Sequence, residues 1–284
     1  MSAVTTSPAS AAPTSTSSLR WTFGRQLRSE WLKFWTVRST IWTLSVMVVG
    51  MVGLVALISL AMRSAVGDFM TVDEALWTPF EFAVNMGSLA VAVLAVLTIT
   101  GEYRTGMIHA SVTAAPRRTP VLWSKLVILF AVVLVASAVA VLLAFVLQKP
   151  IMASLDGSID LGDPESQRRL FGNVLYLATI GAFAFAVGAL LRHSAAALAT
   201  VLGLMLVVES LVRGIPWEPL EYVRPFMPSS SGYLLAQSQE RIDTINAMAG
   251  HGIHLSAWGG YAVLVGWVVV LLGLAAVLLK RRDA

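Results

Sequence analysis

The stretch Gly101–Lys125, GEYRTGMIHASVTAAPRRTPVLWSK, is polar and basic, and it lies between two long apolar runs. Those runs, Phe80–Thr100 and Val121–Leu147, are too long and too apolar to be anything but membrane spans. The segment between them is therefore held at a membrane face. Gly101 follows the first run directly and permits a sharp turn. Glu102 to Ala115 then reads as a short helix lying across the membrane surface, ended by Pro116 and held at the headgroups by Arg117 and Arg118. Such a helix acts as a lever: a partner pushing on it tilts both neighbouring spans. An ordinary basic loop is the plainer reading of the same residues.

Composition places the rest of the chain in the same setting. Of 284 residues, 57% are hydrophobic and 13% are charged, about half the charge of a typical soluble domain. Working outward, the apolar runs number six: 41–62, 80–100, 121–147, 170–191, 195–212 and 258–279. The first, at 22 residues, reaches about 33 Å as a helix, enough for a hydrocarbon core of about 30 Å. Residues 1–19 are rich in Ser, Thr, Ala and Pro and read as a disordered tail. Residues 20–284 read as a single membrane domain. From Arg20 to Thr40, Phe23, Leu27, Trp31 and Trp35 recur every fourth residue with basic residues off the stripe, the pattern of a helix lying in the headgroup region. Arg213–Ala257 is too apolar for a solvent loop and is interrupted by Pro216, Pro219, Pro225 and Pro228. It reads as a re-entrant or interfacial helical pair.

Charge gives the expected orientation. Six spans put both termini on one side, and the termini, the 101–125 segment and the Arg192–His193 turn hold thirteen of the twenty Lys and Arg residues. That side is the cytoplasm by the positive-inside rule. The expected architecture is an all-α integral membrane protein of six spans with both termini cytoplasmic.

Several chemistries are missing from the sequence. It has no phosphate-binding GxxxxGK[ST] loop, no HExxH, no GxSxG and no cysteine. His251 and His254 share a helical face but have no third ligand, so they make a poor metal site. The spans hold almost no charge. Glu81 and Glu209 fall near predicted outer ends, where water reaches them and snorkelling explains them. With no buried relay of acids, transport would have to be powered from outside the membrane domain. Glu81, Asn85 and Ser88 on the second span, and Thr200 and Glu209 on the fifth, are the residues that would line a pathway; small and polar residues also serve helix packing.

The segment GEYRTGMI with its APRR run resembles the coupling region of type-2 ABC transporter permeases, the drug- and polysaccharide-exporter class. In that family an acid, a basic residue and a Gly–Thr type pair follow the second span; Glu102, Arg104 and Thr105–Gly106 match, the last pair in reversed order. LRSEWLKFWTVRSTIWTL resembles the N-terminal interfacial helix of actinobacterial-like members, and RPFMPSSSGYLL the outer re-entrant helices before the last span. The resemblance implies a bacterial cell-membrane exporter subunit working as a dimer or as half of a related heterodimer. It implies a separate ATPase subunit docked on Glu102, Arg104, Thr105 and Gly106, with ATP and magnesium on that partner and no cofactor or nucleic acid bound by this chain. An ion-driven secondary carrier and a non-transporting sensor or immunity scaffold are the alternatives. The substrate is not written in the sequence.

Overall fold

The computed structural model describes residues 22–63, 70–105, 119–153, 158–215, 217–248 and 252–281. Among them there is no β-strand, and six helices are long and apolar enough to cross a membrane. The chain opens with α1 (Phe23–Thr36) and α2 (Arg38–Met62), separated by the extended residue Val37. Two helices of 34 residues follow, α3 (Val72–Thr105) and α4 (Thr119–Met152). Then come α5 (Pro164–Leu191) and α6 (Ser194–Gly214). Short elements fill the next stretch: α7 (Glu218–Val223), a 3₁₀ turn (Arg224–Phe226), α8 (Pro228–Gly232), a second 3₁₀ turn (Tyr233–Ala236) and α9 (Gln239–Met248). The last helix is α10 (Ala257–Arg281).

Helix α5 is the hub. It is buried along most of its length and packs against α3, α4, α6, α10 and the Tyr233–Ala236 turn. Small residues let these neighbours approach closely. Gly181 faces Val91 of α3, and Gly188 faces Ile99 and Val96. Asp163 starts α5 by accepting hydrogen bonds from the Glu165 and Ser166 amides. These bonds hold its carboxyl below the ordinary aspartate range. Arg192 ends the helix in the left-handed region, at φ 56°, so the chain reverses into α6 within two residues.

Three expectations are corrected. The helices outrun the hydropathy windows by one to two turns, because α3 begins at Val72 and α5 at Pro164. Asp73, Glu74, Arg168 and Arg169 therefore lie on helices rather than in loops. Gly101 is not a turn: α3 continues through it to Thr105. Glu209 is not near water but fully buried.

A π-helical stretch explains the direction of Glu209. The buried row of α6 is Ala197, Val201, Met205 and Glu209. In a regular α-helix, steps of four drift steadily around the axis. The wider turns of the π stretch Gly203–Val208 reverse that drift and keep Glu209 on the inward face. There its carboxylate accepts from the Ser229 and Ser230 amides at 2.8 and 2.7 Å, the first turn of α8.

The segment from Arg224 to Ala236 packs well along α10 from its start. The Trp267 indole, ten residues into α10 and so about 15 Å along it, donates to the Phe226 carbonyl at 2.8 Å. Side chains meet several further backbone groups of the segment and its flanks. Arg168 donates to the Leu235 and Gln237 carbonyls, and Ser231 donates to the Pro225 carbonyl. Arg224 reaches back to the carbonyls of Val212 and Ile215.

Substitutions at three positions test this arrangement. Glu209→Ala removes both acceptors from buried amides and should destabilise the protein by about 2–4 kcal/mol, with Glu209→Gln less damaging. Thermal unfolding in detergent and protease cleavage between residues 224 and 248 read the effect. At Gly172 a Cβ would lie 2.6 Å from the Leu235 carbonyl oxygen. Gly172→Ala should therefore cost about 1–3 kcal/mol despite its gain in helix propensity of about 1 kcal/mol. Gly273→Ala, where nothing lies within 4 Å of the new Cβ, should show the propensity gain alone.

Candidate functional site

Two groups of polar residues stand out, one at each end of the bundle. The first joins α1 to α4. Glu30 and Lys125 are both buried, and the Lys125 ammonium lies 2.6 Å from Glu30 Oε2. Lys33 holds the other carboxylate oxygen at 3.0 Å. Burial pushes the Glu30 carboxyl up, but Lys125 and then Lys33 outweigh it and hold the group below its ordinary value. The sequence pattern did not reveal this pair, because its members are 95 positions apart.

This pair also fixes the direction of α1. Gln148 of α4 donates to Ser59 of α2 at 3.0 Å, so those positions are level. Lys125 lies 23 residues before Gln148, and counting the same number back from Ser59 reaches Thr36, the end of α1. Glu30, six residues earlier in the chain, meets Lys125 at that same height. Helix α1 therefore turns aside at Val37 and runs across the bundle instead of prolonging α2. Its buried positions are Glu30 and Phe34, with Leu27 packed against the core. The expected stripe is thus split: Leu27 faces the core, whereas Phe23, Trp31 and Trp35 stay exposed.

The segment 106–118, which includes Gly106, lies outside the described residues. Glu102, Arg104 and Thr105 form the last turn of α3. The ends that flank the segment are anchored. Thr100 near the end of α3 accepts from Ser194 Oγ at 2.9 Å, tying α3 to the first turn of α6. Lys125 anchors the early turns of α4 to α1. A force applied between Thr105 and Thr119 would thus reach α1, α3, α4 and α6.

The second group sits at the opposite end. Arg169 is buried with its guanidinium carbon 3.8 Å from the Trp77 ring centroid and one nitrogen 3.5 Å from Asp73. Stacking on an aromatic face is a favourable place for a partly desolvated guanidinium. Glu81 is half-buried and interacts with Arg169, Arg241 and Gln237. Two turns further along the same α3–α5 contact, the Tyr176 hydroxyl meets Ser88 and, at 2.8 Å, Ser229. The row Glu81, Asn85 and Ser88 does not share one environment: Asn85 is exposed and donates to the Glu81 carbonyl, whereas Ser88 is buried. Thr200 is exposed on α6. Arg169, Tyr176 and Trp77 escaped the sequence reading. The nearby charges looked like loop residues, and an apolar run hides an aromatic partner.

Among the described residues no group of three or more His, Cys, Asp or Glu is placed to hold a metal ion. What the geometry offers is mechanical: two long helices joined through a basic segment, anchored to a sideways helix at that end and stitched to a set of short helices at the other. No curated protein matches the chain. A family model described as ABC-2 family transporter protein matches residues 83–284, which takes in most of α3 and everything after it. With six apolar helices in the structure and that match over more than two thirds of its length, the chain belongs to the ABC-2 transporter family and is a multi-pass membrane permease.

Proposed function

We infer that this permease is the membrane subunit of an ATP-driven exporter, coupled through residues 101–118 to a separate ATPase subunit that carries the ATP and magnesium. The observation that carries the reading is the buried Glu30–Lys125 pair. It ties a sideways helix to the point where the chain re-enters the bundle after the basic segment, so a push on that segment is shared by α1 and both long spans. The permease acts as a dimer or a heterodimer with a similar chain, in a bacterial cell membrane, with both termini in the cytoplasm. The excess of basic residues at the α1 end supports that orientation.

In this reading α1 lies in the headgroup region and the basic segment forms a coupling helix. Glu102 and Arg104 make charge-assisted contacts with the ATPase or with neighbouring cytoplasmic ends. Thr105 and Gly106 allow close approach of the backbone. The Arg224–Ala236 segment is re-entrant from the outer side. The pathway runs between the two copies, along the faces of α3 and α6 that this chain leaves uncovered. Asn85 and Thr200 are exposed on those faces. Glu81 and Ser88 border them, whereas Glu209, occupied by two backbone amides, serves the re-entrant segment.

Purification of the tagged protein from its host in mild detergent, followed by mass spectrometry, should recover a stoichiometric ATPase subunit. Recovery of the permease without one, under conditions that keep known complexes whole, would remove the reading. Glu102→Ala with Arg104→Ala should lose that subunit and lower ATP-dependent export while expression stays normal. Unchanged export in the double variant would deny the role of those residues.

The inner pair has its own test. Glu30→Lys or Lys125→Glu alone should destabilise the protein by about 3–5 kcal/mol, since each leaves a buried charge beside a like charge. The exchanged variant, Glu30→Lys with Lys125→Glu, should recover much of that loss in thermal unfolding. Glu30 titrates below the ordinary 4.5 in the folded protein, so its contribution is present above that value and disappears as pH falls through the folded one. The difference in melting temperature between the wild type and Glu30→Gln should therefore be full at neutral pH and shrink as pH falls below the ordinary 4.5.

A further inference from the structure

Of α1's own residues, those that face away from α4 include Arg25, Arg28 and Lys33 and no acid. The only acid of the helix, Glu30, is turned inward and neutralised by Lys125 and Lys33. Arg25, Arg28 and Lys33 on α1, and Arg38 at the start of α2, are all exposed. Beside them stands an edge-to-face aromatic pair, Trp31 and Trp35, with ring centroids 5.6 Å apart. These two rings are 43% and 41% exposed, and Trp42 of α2 and Trp123 of α4 are 71% and 44% exposed. Trp123 is two residues from Lys125, and Lys125 is level with the junction of α1 and α2. Trp31, Trp35 and Trp123 therefore lie close to one height at this end of the bundle, and Trp42, six residues past Thr36, stands about 9 Å further along α2. Indoles gather at the bilayer interface, where one edge is apolar and the other wet. This group of indoles places the exposed cations of α1 among the phosphates of one leaflet.

We propose that α1 and the start of α2 form a binding surface for anionic phospholipid headgroups, with Arg25, Arg28 and Arg38 as the cations and Trp31 and Trp35 as the interfacial anchors. A zwitterionic headgroup brings its own positive charge to a surface that already has an excess of it. An anionic headgroup such as phosphatidylglycerol does not, and exposed Lys and Arg near an anionic leaflet strengthen attachment additively. Because Glu30 fastens the same helix to α4, lipid held on α1 also sets the position from which the basic segment is pushed. That regulatory consequence rests on the coupling reading above, whereas the binding surface itself does not.

The experiment uses the full chain in vesicles of phosphatidylcholine containing about one third phosphatidylglycerol, with the acyl chains of one lipid or the other brominated. Bromine near the interface quenches nearby indoles, and comparison with Trp31→Phe/Trp35→Phe isolates the contribution of those two rings. Quenching from brominated phosphatidylglycerol should exceed that from brominated phosphatidylcholine at equal mole fraction. The excess should fall at least about threefold in Arg25→Gln/Arg28→Gln and should shrink in 0.5 M salt, where screening is stronger. Equal quenching by the two lipids, or an excess that survives both the substitutions and salt, would overturn the proposal. Absence of quenching by either lipid would show that α1 is not in the leaflet and would overturn it as well. No ATPase is present in this measurement, so failure of the coupling reading leaves its outcome unaffected, and its own failure leaves the co-purification result standing.

Discussion

No water reaches the interior of a bilayer, so a backbone group that leaves helical bonding there must find a partner within the protein. In the reading that puts the Arg224–Ala236 segment inside the bilayer, it is the place where this chain meets that demand, through several of the polar residues at that end. Two amides at the head of α8 are met by Glu209, the Phe226 carbonyl by Trp267, and the Leu235 and Gln237 carbonyls by Arg168. One guanidinium with its fork of donors serves two carbonyls at once. A carboxylate does the same for two adjacent amides. The charges are there because the backbone is irregular, and the irregular backbone holds its place because the charges are there.

The opposite end of the bundle is built differently. Helix α1 is joined to α2 through the single extended residue Val37 and to α4 through the Glu30–Lys125 pair, with apolar contact from Leu27 and Phe34. A buried ion pair gains little over a well-packed apolar contact, but it is strongly specific about which groups may meet. The Arg224–Ala236 segment, by contrast, is held by several hydrogen bonds between side chains and main chain, spread over α5, α6 and α10. One end is thus stitched and the other is jointed. That contrast fits a protein in which force enters at the jointed end.

The number of spans and most of their limits were legible in the sequence, because burial in lipid leaves runs of apolar residues that no other environment requires. The ends of the helices were less so. Hydropathy stops at the first charge, whereas α3 and α5 continue outward past Asp73 and Arg169, whose guanidinium stacks on Trp77. Gly101 read as a turn from its freedom of conformation, but flanking helical bonding carried α3 through it to Thr105. Glu209 read as a snorkelling residue because a glutamate near a span end looks the same whether it faces water or a backbone amide. What distinguishes the two is a change of helical register at Gly203–Val208 and partners twenty residues further on. The aromatic stripe of α1 was visible, but its direction depended on Lys125, which no local pattern connects to Glu30.

The two helices that flank the basic segment are 34 residues each, where about 20 suffice to span a bilayer. Each has one proline in its interior, at the end away from α1: Pro79 in the third turn of α3 and Pro150 two residues before the end of α4; Pro120, in the first turn of α4, interrupts no helical bond. A proline removes one backbone bond and is where a helix bends most readily. Between Pro79 and Thr105, and between Thr119 and Pro150, the two helices run without such a break. In the coupling reading these unbroken lengths are stiff arms. A small displacement where they meet the basic segment is carried toward the outer end with little bending and is released near the prolines. There α3 carries Glu81, two residues beyond Pro79, within the electrostatic reach of Arg169 and bonded to Gln237. The weakest point of the arm is therefore next to the stitched outer segment, the part that would have to open for a solute to leave.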